Sequence, residues 1–179
     1  TSIYNPYIKD KFKIKSKKKR KNVILSVGRL TKQKDFQPLI KAFNLVNKKI
    51  KNYKLIIIGD GEKKNELKEL INSLGLQHKV YLKGWLNKFK NYYTSSKLFV
   101  LSSTYEGLGN VLIEAANYHL PIISTNCKSG PPEIIDHGKG GFLVPVSNEY
   151  VLSNKIIFVL NNYSLAIKKS NYAKKRVNR

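Results

Sequence analysis

Apolar residues along this chain fall into short continuous runs, separated by stretches in which they recur every three or four positions. The runs are Val23–Val27, Lys54–Ile58, Val80 to its turn at Gly84, Leu98–Leu101, Pro121–Thr125 and Phe142–Pro145. Runs this short, bounded by glycine or proline, predict buried strands. The stretches between them have helical spacing. One helix should open after a cap at Asp35, with Pro38 in its first turn and Leu39, Phe43 and Val46 as its apolar stripe. A second should run from Glu62 to Leu74 and stop at Gly75, and a short third should turn Phe89, Tyr92 and Tyr93 inward. Further helices are predicted from Asn110, over 148–160 and over 165–177. Strand alternating with helix in this way implies an α/β fold with a doubly wound parallel sheet.

The stretch Leu98–Pro121 carries the densest chemistry. A buried strand runs into the polar loop Ser102–Gly109, and a helix follows with Val111, Leu112, Ala115 and Ala116 on one face. A strand, a glycine loop and a helix N-terminus present unpaired backbone N–H groups to an anion. Gly107 and Gly109 allow a ligand close to the backbone. Two carboxylates frame the loop, Glu106 before the helix and Glu114 inside it. Acids beside an anion-binding helix start suit a ligand carrying both phosphate and vicinal hydroxyls, which describes a nucleotide sugar. Taken alone, each acid also reads as an ordinary surface charge. After the first strand, the Gly28-Arg29 turn and Lys34 place a planar cation and a point charge at the carboxyl edge of the sheet, where ligands collect in open α/β folds.

The segment Glu-Gly-Leu-Gly-Asn-Val-Leu-Ile-Glu-Ala, from Glu106, resembles the paired-glutamate segment of retaining glycosyltransferases of the "group 1" type, family four. The Gly-Arg turn with its lysine, the Gly59-Asp60-Gly61 turn and the Ser129-Gly130-Pro131 loop with Glu133 and Ile134 fit the same family, and the last implies a short helix opening at Glu133. The resemblance covers Ile3 to Ala173 and implies the C-terminal, donor-binding, Rossmann-like half of a GT-B fold. It places Glu106 on the donor sugar and Glu114 on the nucleotide ribose. It gives Arg29 and Lys34, with Gly28, to the diphosphate, and makes Glu106, Arg29 and Lys34 the catalytic set. Gly107, Leu108, Gly109, Asn110 and Val111 line the donor loop, and the Gly84 turn with Trp85 and Leu86 borders the base. Trp85 reads equally well as a core anchor. The family acts without a bound metal, so no metal site and no cofactor are expected beyond a nucleotide-sugar donor, a UDP-sugar by the Ser-Gly-Pro loop. Two positions depart from the pattern. His119 stands where glycine is usual at a helix end, which requires a left-handed histidine, and Leu108 replaces a common phenylalanine.

Ile3-Tyr4-Asn5-Pro6 resembles the segment joining the two halves of such enzymes. Residues 1–21 are therefore expected to be a basic interdomain linker and 22–179 the nucleotide-sugar domain, with an acceptor-binding N-terminal domain in cis or on another chain. Alone, this chain should transfer little. Its alternative is a non-catalytic nucleotide-binding module or a split-gene remnant.

Composition changes this picture at few points. Lysine and arginine outnumber aspartate and glutamate 34 to 11, for a net charge of +23, which raises nucleic acid or an anionic membrane as partners. The lysines are spread along the chain beside abundant asparagine and isoleucine, so codon bias competes as an explanation. Nucleic acid is not expected. The dense run Lys9–Lys21 favours an anionic membrane surface, hence a cytoplasmic protein peripheral to the membrane. A single cysteine, Cys127, excludes an internal disulfide and fits a reducing compartment. It has no local histidine partner and reads as a packed thiol.

Overall fold

The computed structural model describes residues 19–178. The Ile3–Pro6 turn and most of the lysine-rich run lie outside the described residues. The six strands are β1 (Val23–Val27), β2 (Lys54–Ile58), β3 (Val80–Leu82), β4 (Leu98–Leu101), β5 (Ile122–Thr125) and β6 (Phe142–Val144). They form one parallel sheet in the order β3-β2-β1-β4-β5-β6. The chain winds outward one way from β1 and then crosses back to β4. The carboxyl ends of β1 and β4 therefore flank the switch point, where loops diverge and leave a crevice.

The helices are α1 (Phe36–Lys49), α2 (Lys64–Ser73), α3 (Lys90–Ser95), α4 (Asn110–Asn117), α5 (Pro131–Ile134), α6 (Glu149–Asn161) and α7 (Tyr163–Val177). They cover both faces, which explains why the strands are continuously apolar instead of alternating. Ile24, Leu55, Ile57, Val100 and Ile123 meet α1, α2 and α6 in one core. Leu25, Phe99, Leu101 and Ile122 meet α3, α4, α5 and α7 in the other. A Leu or Ile side chain taken fully out of water contributes roughly 1.5–3 kcal/mol, so the two cores fix the sheet that presents the loops.

Local departures from expectation have local causes. Asp35 is not a side-chain cap for α1. It lies in the left-handed region at φ 42° and accepts a hydrogen bond from Ser147 Oγ at 2.7 Å. A 3-10 turn, Lys32–Lys34, fills the space before it. Helix α2 begins at Lys64, not Glu62, because Lys63 N–H bonds Leu30 O and Lys64 N–H bonds Gly61 O in a preceding turn. The histidine at the α4 terminus is left-handed as expected, with φ 51° at His119.

Candidate functional site

Three loops leave the carboxyl edge of β1, β2 and β4, and backbone hydrogen bonds lace them together. Leu30 N–H bonds Asp60 O, and Thr104 N–H bonds Gln33 O, both at 2.9 Å. Ser102 Oγ donates to Lys34 O, and Gln33 Nε2 donates to Tyr105 O. Gly59 lies between neighbours so close that a Cβ there would sit 2.0 Å from Gly28 O. Gly59 N–H also bonds Gly84 O at 2.9 Å. Thus the predicted Gly28 and Gly84 turns converge on one side of the switch point. The Gly59-Asp60-Gly61 turn, which by itself signals only a bend, is what joins them.

The lacing brings Lys34 onto Glu106. Lys34 Nζ donates to Glu106 Oε1 at 2.5 Å, and Ser103 Oγ donates to the same oxygen at 2.6 Å. Glu106 is only 7% exposed. A carboxylate so enclosed keeps its charge only with partners of this kind. Both bonds fall on Oε1 and leave Oε2 outside them. From the other side, Ser129 Oγ donates to Glu106 O at 2.7 Å. Gly130, at φ 83°, packs its Cα so near Gly107 that a Cβ would come within 2.6 Å of Gly107 O. The Ser-Gly-Pro loop is therefore the buttress of the Ser102–Gly109 loop, a role its sequence did not announce.

Helix α4 opens at Gly109, which is left-handed at φ 70°. Its first amides stand at the positive end of the helix dipole, and Leu112 N–H already bonds Gly109 O at 2.9 Å. Gly107, Leu108 and Asn110 are exposed around that opening. Val111 and Leu86 instead lean on the core shared with α3 and α7. Trp85 is 74% exposed, so its reading as a core anchor is wrong. Its ring stands in solvent beside the Gly84 turn because β3 is a short edge strand with no neighbour to cover it among the described residues. Arg29 is exposed too; its carbonyl accepts from Thr31 N–H at 2.9 Å, while its guanidinium makes no hydrogen bond or ion pair to another described residue.

Glu114 sits in a different environment. It is half-buried on α4, beside the Tyr93 hydroxyl and within the field of Lys90. Burial raises its carboxyl above the usual carboxylate range, against the opposing pull of Tyr93 and Lys90. The Tyr93 phenol is pushed well up by burial and by the Glu114 charge. Its oxygen has no well-formed hydrogen bond. The Tyr93 ring stacks between Phe99 and Tyr118, at centroid distances of 5.7 and 5.6 Å. Phe89, Tyr92 and Tyr93 thus serve packing, as their helical spacing predicts.

Cys127 is buried, and burial followed by the nearby Glu106 charge pushes its thiol up, which suppresses the reactive thiolate. No group of three or more His, Cys, Asp or Glu side chains that could hold a metal occurs among the described residues. No helix among them is long and apolar enough to cross a membrane.

Sequence reasoning missed Ser103, Ser129, Gly130 and Gly59 as supports of the site. It also missed Arg20, whose guanidinium donates to Tyr93 O, Thr94 O, Ser96 O, Tyr118 O and His119 O over 2.7–3.2 Å. The one available signal was that Arg20 is an arginine inside a run of lysines.

Comparison with known proteins converges on one family. The family model "Glycosyl transferases group 1" matches residues 8–176. An uncharacterized glycosyltransferase of Methanocaldococcus jannaschii is 47% identical over 72% of this chain and 35% of its own length. A Campylobacter jejuni α-1,4-N-acetyl-D-galactosaminyltransferase, acting on an undecaprenol-diphosphate-linked saccharide, is 32% identical over 97% of this chain and 48% of its own. In crystal structures, a point mutant of Staphylococcus aureus TarM, in complex with Fondaparinux, alpha-GlcNAc-glycerol and UDP, superposes with a TM-score of 0.84. It is 29% identical and covers 90% of this chain and 33% of its own. The chain spans between a third and a half of the length of these relatives. Its sheet and helices are those of the C-terminal, Rossmann-like half of a GT-B fold.

Proposed function

We propose that this chain, which belongs to the group 1 glycosyltransferase family, is the donor-binding half of a retaining enzyme that moves a hexose or N-acetylhexosamine from a UDP-sugar to a glycan or lipid-linked acceptor. The observation that carries this reading is the Lys34–Glu106–Ser103 cluster at the switch point, roofed by the Ser129-Gly130 loop. The TarM complex contains UDP, and the named Campylobacter relative transfers an N-acetylhexosamine. Both support a uridine donor and an amino sugar for this chain.

Bond breaking in such a donor builds negative charge on the departing diphosphate and positive charge at the sugar ring. Groups already aimed at charge that develops in the transition state lower the barrier more than groups that merely bind the ground state. Lys34 has three N–H donors. One is committed to Glu106, and the others are available to a phosphate oxygen. The Arg29 guanidinium, with no described partner, adds a second cation. The amides that open α4 add fixed dipoles. Glu106 Oε2 accepts from donor-sugar hydroxyls, and its charge supports the ring as it becomes cationic. Glu114 accepts from the ribose hydroxyls, and Trp85 borders the base. The residues hold the donor without calling on a metal ligand.

The basic residues that precede Arg20 are then the linker to an acceptor-binding half, in cis or on a separate chain, with Arg20 and Lys21 already bonded to the domain. The charge of that linker suits an anionic membrane surface. Transfer is assayed with this chain alone and joined to a matching N-terminal half. The joined enzyme should turn over and the isolated chain should bind UDP weakly without turnover. Changing Arg29 or Glu106 to alanine in the joined enzyme should cost roughly 10²–10³-fold in rate with the fold intact. Near-normal rates would refute the residue assignments. UDP binding with no transfer in any pairing would favour the second reading, a non-catalytic nucleotide-binding module.

A further inference from the structure

The five carbonyls that Arg20 gathers belong to two different helix ends. Nη1 donates to Tyr93 O, Thr94 O and Ser96 O at the end of α3, and Nη2 to Tyr118 O and His119 O just beyond α4. Lys21 N–H takes Ser95 O at 2.7 Å, so the chain at residues 20–21 satisfies four successive carbonyls, 93 to 96. Trailing carbonyls of a helix have no N–H of their own helix to accept from, and they carry the negative end of its dipole. A planar cation is the one side chain that can face both ends at once from a fixed fork. Burial lowers the guanidinium pKa somewhat, although it stays charged.

What the clamp holds bears directly on the site. Helix α3 carries Tyr93, and α4 carries Glu114 and is capped by Tyr118. Tyr93 and Tyr118 stack at 5.6 Å with their planes 14° apart. Tyr93 therefore keeps its hydroxyl beside Glu114 only while the two helix ends stay together. We infer that Arg20 is a positioning residue of the donor site: by tying the ends of α3 and α4 to the segment that enters the domain, it fixes where Glu114 stands for the nucleotide ribose. The inference rests on the assignment of Glu114 made under the proposed function. It touches only the nucleoside side, because the Lys34–Glu106 cluster is held by separate hydrogen bonds from the β1 and Ser129 loops.

That separation supplies the test. Arg20→Lys keeps the charge and can bond one helix end, but a single ammonium cannot span both. Calorimetry on the whole chain, wild type and Arg20→Lys, is run with UDP and, separately, with inorganic pyrophosphate. Expected is a fall in UDP affinity of roughly fivefold to tenfold, within the usual range of coupling between sites, while pyrophosphate affinity stays within about twofold. Glu114→Gln should then cost much less UDP affinity in the Arg20→Lys background than in wild type, since coupled positions are not additive. UDP and pyrophosphate weakening together, or additive effects of the two substitutions, would reduce Arg20 to a general stabiliser and overturn the inference. A wild-type chain that binds neither ligand would instead sink the donor-site reading itself, and the positioning role with it. Should Arg20→Lys fail to fold, Arg20→Gly is measured with and without ethylguanidinium. Recovery of UDP affinity by that side-chain mimic supports the clamp, and no recovery in a folded variant overturns it.

Discussion

Glu106 and Glu114 stand eight residues apart on one loop and helix, yet the protein treats their charges in opposite ways. Glu106 is almost fully enclosed, but a lysine and a serine converge on one of its oxygens, and a second serine pins its backbone. Glu114 is less enclosed and lies against a phenol in a stack of aromatic rings, where burial works against its ionised form. The contrast lies in the donors built around each acid and not in enclosure alone: Glu106 has two side-chain donors on one oxygen, whereas burial disfavours the ionised form of Glu114. Under the proposed function, a bound ribose would supply further donors to Glu114.

The largest test of that contrast removes the lysine. Lys34→Ala leaves Glu106 buried without its cation and should cost about 3 kcal/mol, read as a lower denaturant midpoint. Pairing it with Glu106→Gln should recover much of the loss, because no charge is then left unpaired. If Lys34→Ala were silent in denaturation, the enclosed ion pair would not be what holds this loop. A smaller effect is expected from Gly130→Ala. Its methyl group would meet Gly107 O in a left-handed backbone position, at a cost of roughly 1–3 kcal/mol. If the Ser102–Gly109 loop binds the donor as proposed, UDP affinity should fall alongside, since the buttress and that loop are in contact. Unchanged thermal melting would show that the two loops are not tightly apposed.

The smallest effect should come from Glu114→Gln, and its sign is reversed. With its pKa raised by folding, ionised Glu114 destabilises the folded chain. That penalty is absent below the ordinary carboxylate range, grows as pH rises through the gap to the raised value, and is complete above it. The substitution should therefore raise Tm at neutral pH by roughly 2–4 °C, with the gain vanishing in acid, while UDP affinity drops. A gain that persists at low pH would point to packing, not charge, as its source.

Every described strand, and every described helix but the short α5, could be read in type from apolar spacing, because a sheet covered on both faces forces continuous apolar runs and helices packed on either face need an apolar stripe. The Lys34–Glu106 ion pair was not read at all: resemblance put both residues at one site, but 72 residues separate the two side chains, and no local pattern records a contact at that range. The Asp35 cap failed for a related reason, since its oxygen was claimed by Ser147 from a distant turn. Trp85 was undecided because a tryptophan after an edge strand packs inward or stands free according to what lies beyond the edge. Arg20 was hidden by its lysine neighbours, although only a guanidinium could have bridged two helix ends.

The sheet's outermost strands, β3 and β6, are each three residues long. Lys79 and Lys83 bracket the first, and Pro145 closes the second. A neighbouring molecule seeking to extend the ladder would find too few free amides on either flank, and ammonium groups or a missing N–H where it tried to continue. So highly cationic a chain should also repel its own copies. At the concentrations needed for calorimetry it should resist edge-to-edge aggregation, even with the aromatic Trp85 standing bare beside one of those flanks.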